Sequence, residues 1–355
     1  MAISTACYAT REEVKAALDI KLTTRSDAQV DRAIESASRS IEGLLHRRFY
    51  SVIQTAFFDW PNFQYAYPWR IWFDERELAD VTTNVPVVTS GGNVITAANI
   101  FWGPWNYSPP FTFMELDRSS SASFGQGSTP QRDVQITGTF GYQDTFTTAG
   151  ALAVGCGAGD ATITVTNGAV IGVGDVIMIG SERILATDKT MVDTTQAQQG
   201  SGVSTASAAD VTLAVTDGTK FSSGEIVLLD SERMLIVDVA GNNLTVKRAW
   251  DGSVLAAHSG AEIYALRVVT VTRGSFGSTA ASHSGAAAIT RALIPPLVKE
   301  LAVGEALNSV LQEQGGYART QGQGAGAQTN VGMSLDAIRK QALARYGRKA
   351  RSRVV

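Results

Sequence analysis

The chain has 355 residues, with 30 Lys and Arg against 33 Asp and Glu, a formal charge of −3, two cysteines and three histidines. That length suits two or three domains with cores of their own; two cysteines exclude a disulfide scaffold or a Cys-rich metal site, and three histidines leave little room for zinc chemistry, so no cofactor or metal is expected. Near-neutral charge argues against a generic nucleic-acid binder, no 18-residue apolar run predicts a membrane span, and the opening MAISTACYATREE lacks the basic-then-apolar pattern of a signal peptide.

Thr10-Arg-Glu-Glu13 is a capping box, with Val14, Ala17 and Leu18 as a short apolar face behind it. A second helix is predicted from Ser26 or Asp27. Its buried stripe is Val30, Ala33, Ile34, Ala37, Ile41, Leu44 and Leu45, and its polar face is Asp31, Arg32, Glu35, Ser38, Arg39 and Glu42. Together they read as a helical hairpin packed on a sheet. His46-Arg47-Arg48 closes the second helix where cations meet the negative dipole end, so His46 is read as a cap-region residue rather than a ligand.

From Phe49 to Phe113 the chain reads as strand and loop, interrupted by Pro61, Pro68, Pro104, Pro109 and Pro110. Five tryptophans fall here: Trp60, Trp69, Trp72, Trp102 and Trp105. They suit either stacking platforms for bases or sugars or the core and subunit contacts of a thin domain. The second reading is taken, because only Arg70 and Arg76 interleave with the rings, and these five tryptophans are assigned to a subunit interface. Ser119 to Thr129 reads as a flexible loop, and Val134 to Tyr142 as a strand by its alternation.

Residues 160–186 and 210–236 match at an offset of 50: Gly168 with Gly218, Gly174 with Gly224, and Ser181-Glu182-Arg183 with Ser231-Glu232-Arg233. This predicts two copies of one β unit. A shorter echo at an offset of 25 sets Thr245-Val-Lys-Arg248 and His258-Ser-Gly-Ala261 against Thr270-Val-Thr-Arg273 and His283-Ser-Gly-Ala286. The adjacent His and Ser suggest catalysis, but no carboxylate is visibly placed to orient either ring. A structural turn is expected instead, with each imidazole on a backbone group. Glu182, Glu232, Arg183 and Arg233 are candidates for cross-strand ion pairs. Thr194 to Ala209 reads as a loop. There is no phosphate loop, HExxH, calcium loop or GxSxG elbow, and no enzyme is expected.

Pro296 suits a first helical turn, and Leu297, Val298, Leu301, Ala302, Ala306, Leu307, Val310 and Leu311 form a stripe ending before Gly315-Gly316. Residues 318–330 have few groups to bury and read as a mobile tether. Ser334 caps a last helix, on which Ile338, Ala342 and Tyr346 share a face and which Gly347 ends. The final 24 residues hold seven cations against Asp336 alone, a charge of +6, so the remainder carries −9. A tethered basic helix reads as a docking element for a neighbouring subunit, an acidic socket or phosphate; a merely solvated tail is the plain alternative.

The two ends resemble the head–tail connector (adaptor, or head-completion) proteins of tailed bacteriophages. The likeness lies in Tyr8-Ala-Thr-Arg-Glu-Glu-Val-Lys-Ala-Ala-Leu-Asp19, in Ile41-Glu-Gly-Leu-Leu-His-Arg-Arg-Phe-Tyr50, in Ile136-Thr-Gly-Thr-Phe-Gly-Tyr142, and in the helices from Pro295 to Leu311 and from Ser334 to Tyr346. It spans residues 5–145 and 292–350; compact connectors lack the segment 146–291. The resemblance implies a small helical bundle with a short β part, discontinuous in sequence; with the inserted all-β domain of duplicated units that the repeats predict, the expected fold is α+β. The domains would be a connector body (1–145 and 292–331), the inserted β-repeat domain (146–291) and a basic docking helix and tail (332–355). It further implies a structural virion protein of the neck, assembled in the host cytoplasm as a ring of about twelve copies. That ring would sit between the portal protein and a stopper or tail-completion protein, with genome DNA passing through without sequence-specific binding. Leu335, Ile338, Arg339, Lys340, Arg345, Tyr346 and Arg348 would dock on the portal. A virion glycan- or receptor-binding protein using the β repeats, and a polysaccharide-processing enzyme with appended repeats, are the rival readings.

Overall fold

The computed structural model describes residues 3–18, 26–61, 67–106, 108–200, 202–314, 320–321, 328–329 and 332–348. The fold is mixed α+β. Among the described residues four α-helices, two toward each end of the chain, flank a series of antiparallel strands in sequence. The chain forms two compact units, one of residues 1–41, 146–275 and 279–346, the other of residues 42–145, 276–278 and 347–355. Of the expected domain boundaries, 145/146 coincides with a cut between the compact units and 291/292 does not; the first unit joins the helices to the β repeats.

In the first unit, α1 (Arg11–Ala17) begins at the expected capping box: Glu13 N–H donates to Thr10 Oγ1 (3.2 Å) and Thr10 N–H donates to Glu13 Oε2 (3.1 Å). Helix α2 (Asp27–Leu45), whose last turn belongs to the second unit, buries Val30, Ala33, Ile34, Ala37, Ile41 and Leu45 of the stripe its spacing predicts and leaves Leu44 half-buried. His46 leaves the helix in the left-handed region (φ 51°), the ordinary stop after a last turn. Helix α3 (Pro296–Gln314) buries Val298, Leu301, Ala302, Ala306 and Val310. Helix α4 (Gly332–Tyr346) packs on α3, burying Leu335, Ala342 and Tyr346. Gly304 of α3 makes room for Leu335, whose Cδ1 lies 3.0 Å from where a Cβ would stand. Of the expected tether, Thr320–Gln321 and Gln328–Thr329 pair as two short strands; the rest lies outside the described residues.

The second unit holds β1 (Val52–Phe58), β2 (Arg70–Trp72), β3 (Leu78–Asp80), β4 (Val87–Ser90), β5 (Asn93–Ile95), β6 (Ile100–Gly103), β7 (Phe113–Leu116) and β8 (Val134–Phe140). One sheet runs β1-β8-β4-β5 with β3 also on β8, and a smaller one runs β2-β7-β6. Val134, Ile136 and Phe140 of β8 sit in a core with Ile71, Phe73, Leu78, Val88 and Met114. The Ser/Gly loop expected to be flexible is pinned. Asp133 accepts the N–H groups of Gly125 (2.9 Å) and Gly127 (2.7 Å), and Phe124 packs on Trp60 with ring centroids 4.9 Å apart.

The repeats of the first unit build one ten-stranded antiparallel sheet from β9 (Phe146–Ala151), β10 (Thr162–Thr164), β11 (Val176–Ile179), β12 (Glu182–Ala197), β13 (Thr212–Ala214), β14 (Ile226–Leu229), β15 (Glu232–Ala240), β16 (Asn243–Lys247), β17 (Glu262–Thr272) and β18 (Ala288–Ala292). Strand β12 takes in the start of the loop expected at Thr194.

The two copies are nested. In the inner copy β14 pairs with β15, β15 with β16, β13 with β16, and β14 with the first half of β17. In the outer copy the same pairs are β11 with β12, β12 with the second half of β17, β10 with β17, and β11 with β18. Even the outer pair β9·β18 has its counterpart where the ends of β12 and β17 meet. The inner hairpin closes at Ala240↔Asn243, across Gly241-Asn242. The equivalent outer register position is Thr190↔Val268, where residues 191–267 are inserted in place of a turn. Each copy keeps its own core: Ile163, Val165, Ile177, Ile179 and Ile184 in one, Leu213, Val215, Val227, Leu229 and Met234 in the other.

Nesting at a hairpin tip predicts that the inner copy is dispensable to the outer one. In the full chain, replacing residues 191–267 by the inner copy's own Gly-Asn turn should leave a single cooperative urea transition at a reduced midpoint. A non-cooperative profile would show that the copies fold only together.

Candidate functional site

Chemistry-bearing residues of the repeats gather in two equivalent buried clusters. Glu182 and Glu232 open β12 and β15 just after two-residue turns, at Gly180-Ser181 and Asp230-Ser231. In the inner copy, Arg248 Nε and Nη2 donate to the two oxygens of Glu232 (2.8 and 2.7 Å), Ala249 and Ala256 N–H add bonds of 2.8 and 3.0 Å, and His258 Nε2 lies at 2.9 Å. In the outer copy, Glu182 meets Arg273 (2.8 and 2.8 Å), Gly274 and Ala281 N–H (2.9 and 3.2 Å) and His283 Nε2 (2.7 Å). The arginines also donate to loop carbonyls, Arg248 to Thr205, Asp210 and Ala256, Arg273 to Gly157 and Ala281.

Burial by itself would raise both carboxyl pKa values. The guanidinium, the two backbone N–H groups and the imidazole outweigh it and hold each down at about 2. A carboxylate receiving five donors has no lone pair free to abstract a proton. The clusters are therefore clamps that tie the loop after the last strand of each copy back to the sheet.

Two expectations are corrected here. The histidines bond carboxylates, not backbone groups, because the loop folds each ring onto the glutamate that opens the neighbouring strand. Glu182 and Glu232 pair with Arg273 and Arg248 rather than with Arg183 or Arg233; Arg233 instead meets Asp251 at 2.9 Å. The copies differ at one turn position. Asp230 takes the left-handed conformation (φ 51°) that Gly180 takes in the outer copy (φ 61°), and its carboxylate reaches His258 Nδ1 at 2.7 Å. Both nitrogens of His258 thus face carboxylate oxygens, an arrangement that uses two N–H donors.

A second charged constellation fixes α1 to the repeats. Arg11 donates to both oxygens of Asp31 (2.7 Å each) and to Asp188 (2.7 Å). Lys15 bridges Asp27 and Asp251. Glu12 accepts Val173 N–H at 2.9 Å, and buried Lys189 donates to the Gly168 and Ile171 carbonyls (2.6 and 2.9 Å). A cavity of about 300 Å³ lies beside these residues, lined also by Ala169, Met191, Leu235 and Trp250. Its cations are largely matched by carboxylates already in place. Among the described residues no cluster of His, Cys, Asp and Glu could hold a metal ion, and no helix is long and apolar enough to cross a membrane.

The assigned interface tryptophans do not share one environment. Trp60 is buried, Trp69 and Trp102 are half-buried against the core, Trp72 is half-buried and Trp105 is exposed. Trp72 and Trp105 meet on the smaller sheet, packing against Phe113 with centroids at 4.6 and 5.7 Å. Arg70 lies over Tyr67, Trp72 and Phe113 (4.8, 5.5 and 4.7 Å) and is paired with Glu115, and Arg118 lies over Trp69 at 4.2 Å. More cation interleaves with these rings than their sequence spacing indicates.

Of the expected docking residues, Leu335 and Tyr346 are buried, Ile338 is half-buried, and Arg339 is paired with Glu305 (2.8 Å) and Asp336 (3.1 Å). Lys340 and Arg345 are exposed, and Arg348 lies 3.5 Å from Glu77. Lys349, Arg351 and Arg353 lie outside the described residues.

Removing Arg248 strands a buried carboxylate, so Arg248→Met should lower stability by about 3–5 kcal/mol in urea titration; an effect near zero would contradict the clamp. The pH dependence has two limbs of opposite sign. Glu182 and Glu232 titrate near 2 when folded against an ordinary 4.5, so their contribution is present above about pH 4.5 and lost as pH falls toward 2. Burial pushes Asp175 up to about 6 from 3.8, against the Gly172 N–H and Arg291, so its ionisation removes stability as pH rises from about 4 to 6. The stability of Asp175→Asn relative to the native chain should therefore grow over that interval; a constant difference would contradict it.

No protein-family model, curated protein or solved structure matches this chain.

Proposed function

We propose that the chain is a structural head-to-tail connector (adaptor) of a tailed phage, forming a ring in the virion neck between the portal and the tail or stopper, with genome DNA passing through its lumen. The observation that carries this reading is the helical frame. The first part of α2, together with α1, α3 and α4, belongs to one compact unit although residues 46–295 intervene between α2 and α3. Lys299 of α3 reaches Glu13 of α1 (2.6 Å), Arg32 of α2 reaches Glu313 of α3 (2.8 Å), and α4 packs on α3. These are the segments in which the connector resemblance lies. The clamped, base-free carboxylates of the repeats fit a structural role better than a catalytic one.

On this reading the portal contact falls to the outward residues of α4, Ile338, Lys340, Leu343 and Arg345, since Leu335 and Tyr346 are already buried within the chain. Deleting the helix would uncover α3, so surface substitutions are the better probe. Negative-stain imaging of the purified protein, alone and with its portal, should show closed rings in at least the second sample. Lys340→Glu with Arg345→Glu should weaken portal capture about tenfold or more with an unchanged melting temperature. Monomers without portal affinity would sink the connector reading; full capture by the double variant would sink the docking assignment alone.

A further inference from the structure

The outer face of the β2-β7-β6 sheet bears an aromatic surface that no core consumes. Strand alternation sends Ile71, Met114 and Leu116 inward and leaves Arg70, Trp72, Phe113 and Glu115 on the other side, in the registered pairs Arg70↔Glu115 and Trp72↔Phe113. Beside Phe101 of β6, which lies opposite Glu115 and is 50 % exposed, two further rings at this face stay open, Trp105 at 59 % and Tyr67 at 48 % exposure. Between them lie the Arg70 guanidinium and the Glu115 carboxylate that holds it. Gly103 is part of the construction: a Cβ there would stand 2.1 Å from the Phe113 ring, so only glycine lets that ring lie across β6 and support Trp105.

We propose that this face binds a neutral sugar. Two open rings offer π faces to the C–H face of a pyranose, whose slightly positive hydrogens suit the negative ring quadrupole. Arg70, half-buried and held by buried Glu115, offers a guanidinium of fixed orientation as a donor to hydroxyl groups. Charge selects against a polyanion: Arg70 is neutralised by Glu115, and residues 42–145 hold six Lys and Arg against ten Asp and Glu. Both rings are already held edge-to-face, Tyr67 against Trp69 and Trp105 against Phe113, so little side-chain entropy is lost on binding. In the repeats, Phe221 and Trp250 are buried. This inference is independent of the connector reading.

The test titrates the full chain with maltohexaose, cellohexaose and chitohexaose, followed by tryptophan fluorescence and calorimetry. At least one should bind saturably with Kd at or below about 1 mM. Trp105→Ala and Tyr67→Ala should each weaken it about tenfold at unchanged melting temperature, as the loss of a stacking ring requires. No binding of any of the three up to about 10 mM would overturn the proposal. So would full binding by both variants, or Trp105-dependent binding of single-stranded DNA in place of sugar. If sugars fail and Trp105→Ala instead reduces the sedimenting mass, the face belongs to a second copy of the chain.

Discussion

A carboxylate taken out of water costs several kcal/mol unless charge and N–H donors replace the lost hydration. Glu182 and Glu232 are almost wholly removed from solvent, and everything around them follows from meeting that demand. An arginine must come from the end of the last long strand, two backbone N–H groups from the loop behind it, and an imidazole from the loop's far end. Supplying these partners fixes the path of a segment with little regular structure of its own. The same arginine takes up carbonyls from a second loop, so one buried charge orders two connections at once.

The constraint also explains how one copy sits inside another. Each copy needs its glutamate, arginine and histidine together in space, but not close in sequence. In the inner copy Glu232 and Arg248 are 16 positions apart; in the outer copy Glu182 and Arg273 are 91 apart. The outer cluster tolerates this because the insertion enters at the tip of the β12–β17 hairpin, away from the clamp. The long strands then serve both copies, giving one continuous sheet with two cores.

Local signals were legible along the chain: the Thr10 capping box, the α2 stripe, the alternation of β8 and the offset of 50 all correspond to what folds. The nested arrangement was not legible, because the 50-residue and 25-residue echoes look like two separate duplications until the strands are paired. The roles of His258 and His283 were hidden for a related reason. A side chain's partner across a sheet leaves no periodicity in its own neighbourhood. Among the tryptophans, composition identified an aromatic region but could not distinguish Trp60, which packs inward on Phe124, from Trp105, which remains open. The basic terminal helix shows the same limit. Its charge suggested a free docking arm, whereas the helix packs on α3 and Leu335, Ala342 and Tyr346 are buried.

The helices and repeats are joined by charge as well as by apolar packing. Arg11 and Lys15 link α1 both to α2 and to the sheet, so the helical frame and the repeats belong to one unit. Two equivalent carboxylate clamps hold the repeats, and amide hydrogen exchange reads them out residue by residue. The N–H groups of Ala249 and Ala256 in one copy, and of Gly274 and Ala281 in the other, lie in loops yet donate to buried carboxylates. All four should exchange as slowly as the paired strands beside them. Exchange at the rate of open loops, in either copy, would contradict it.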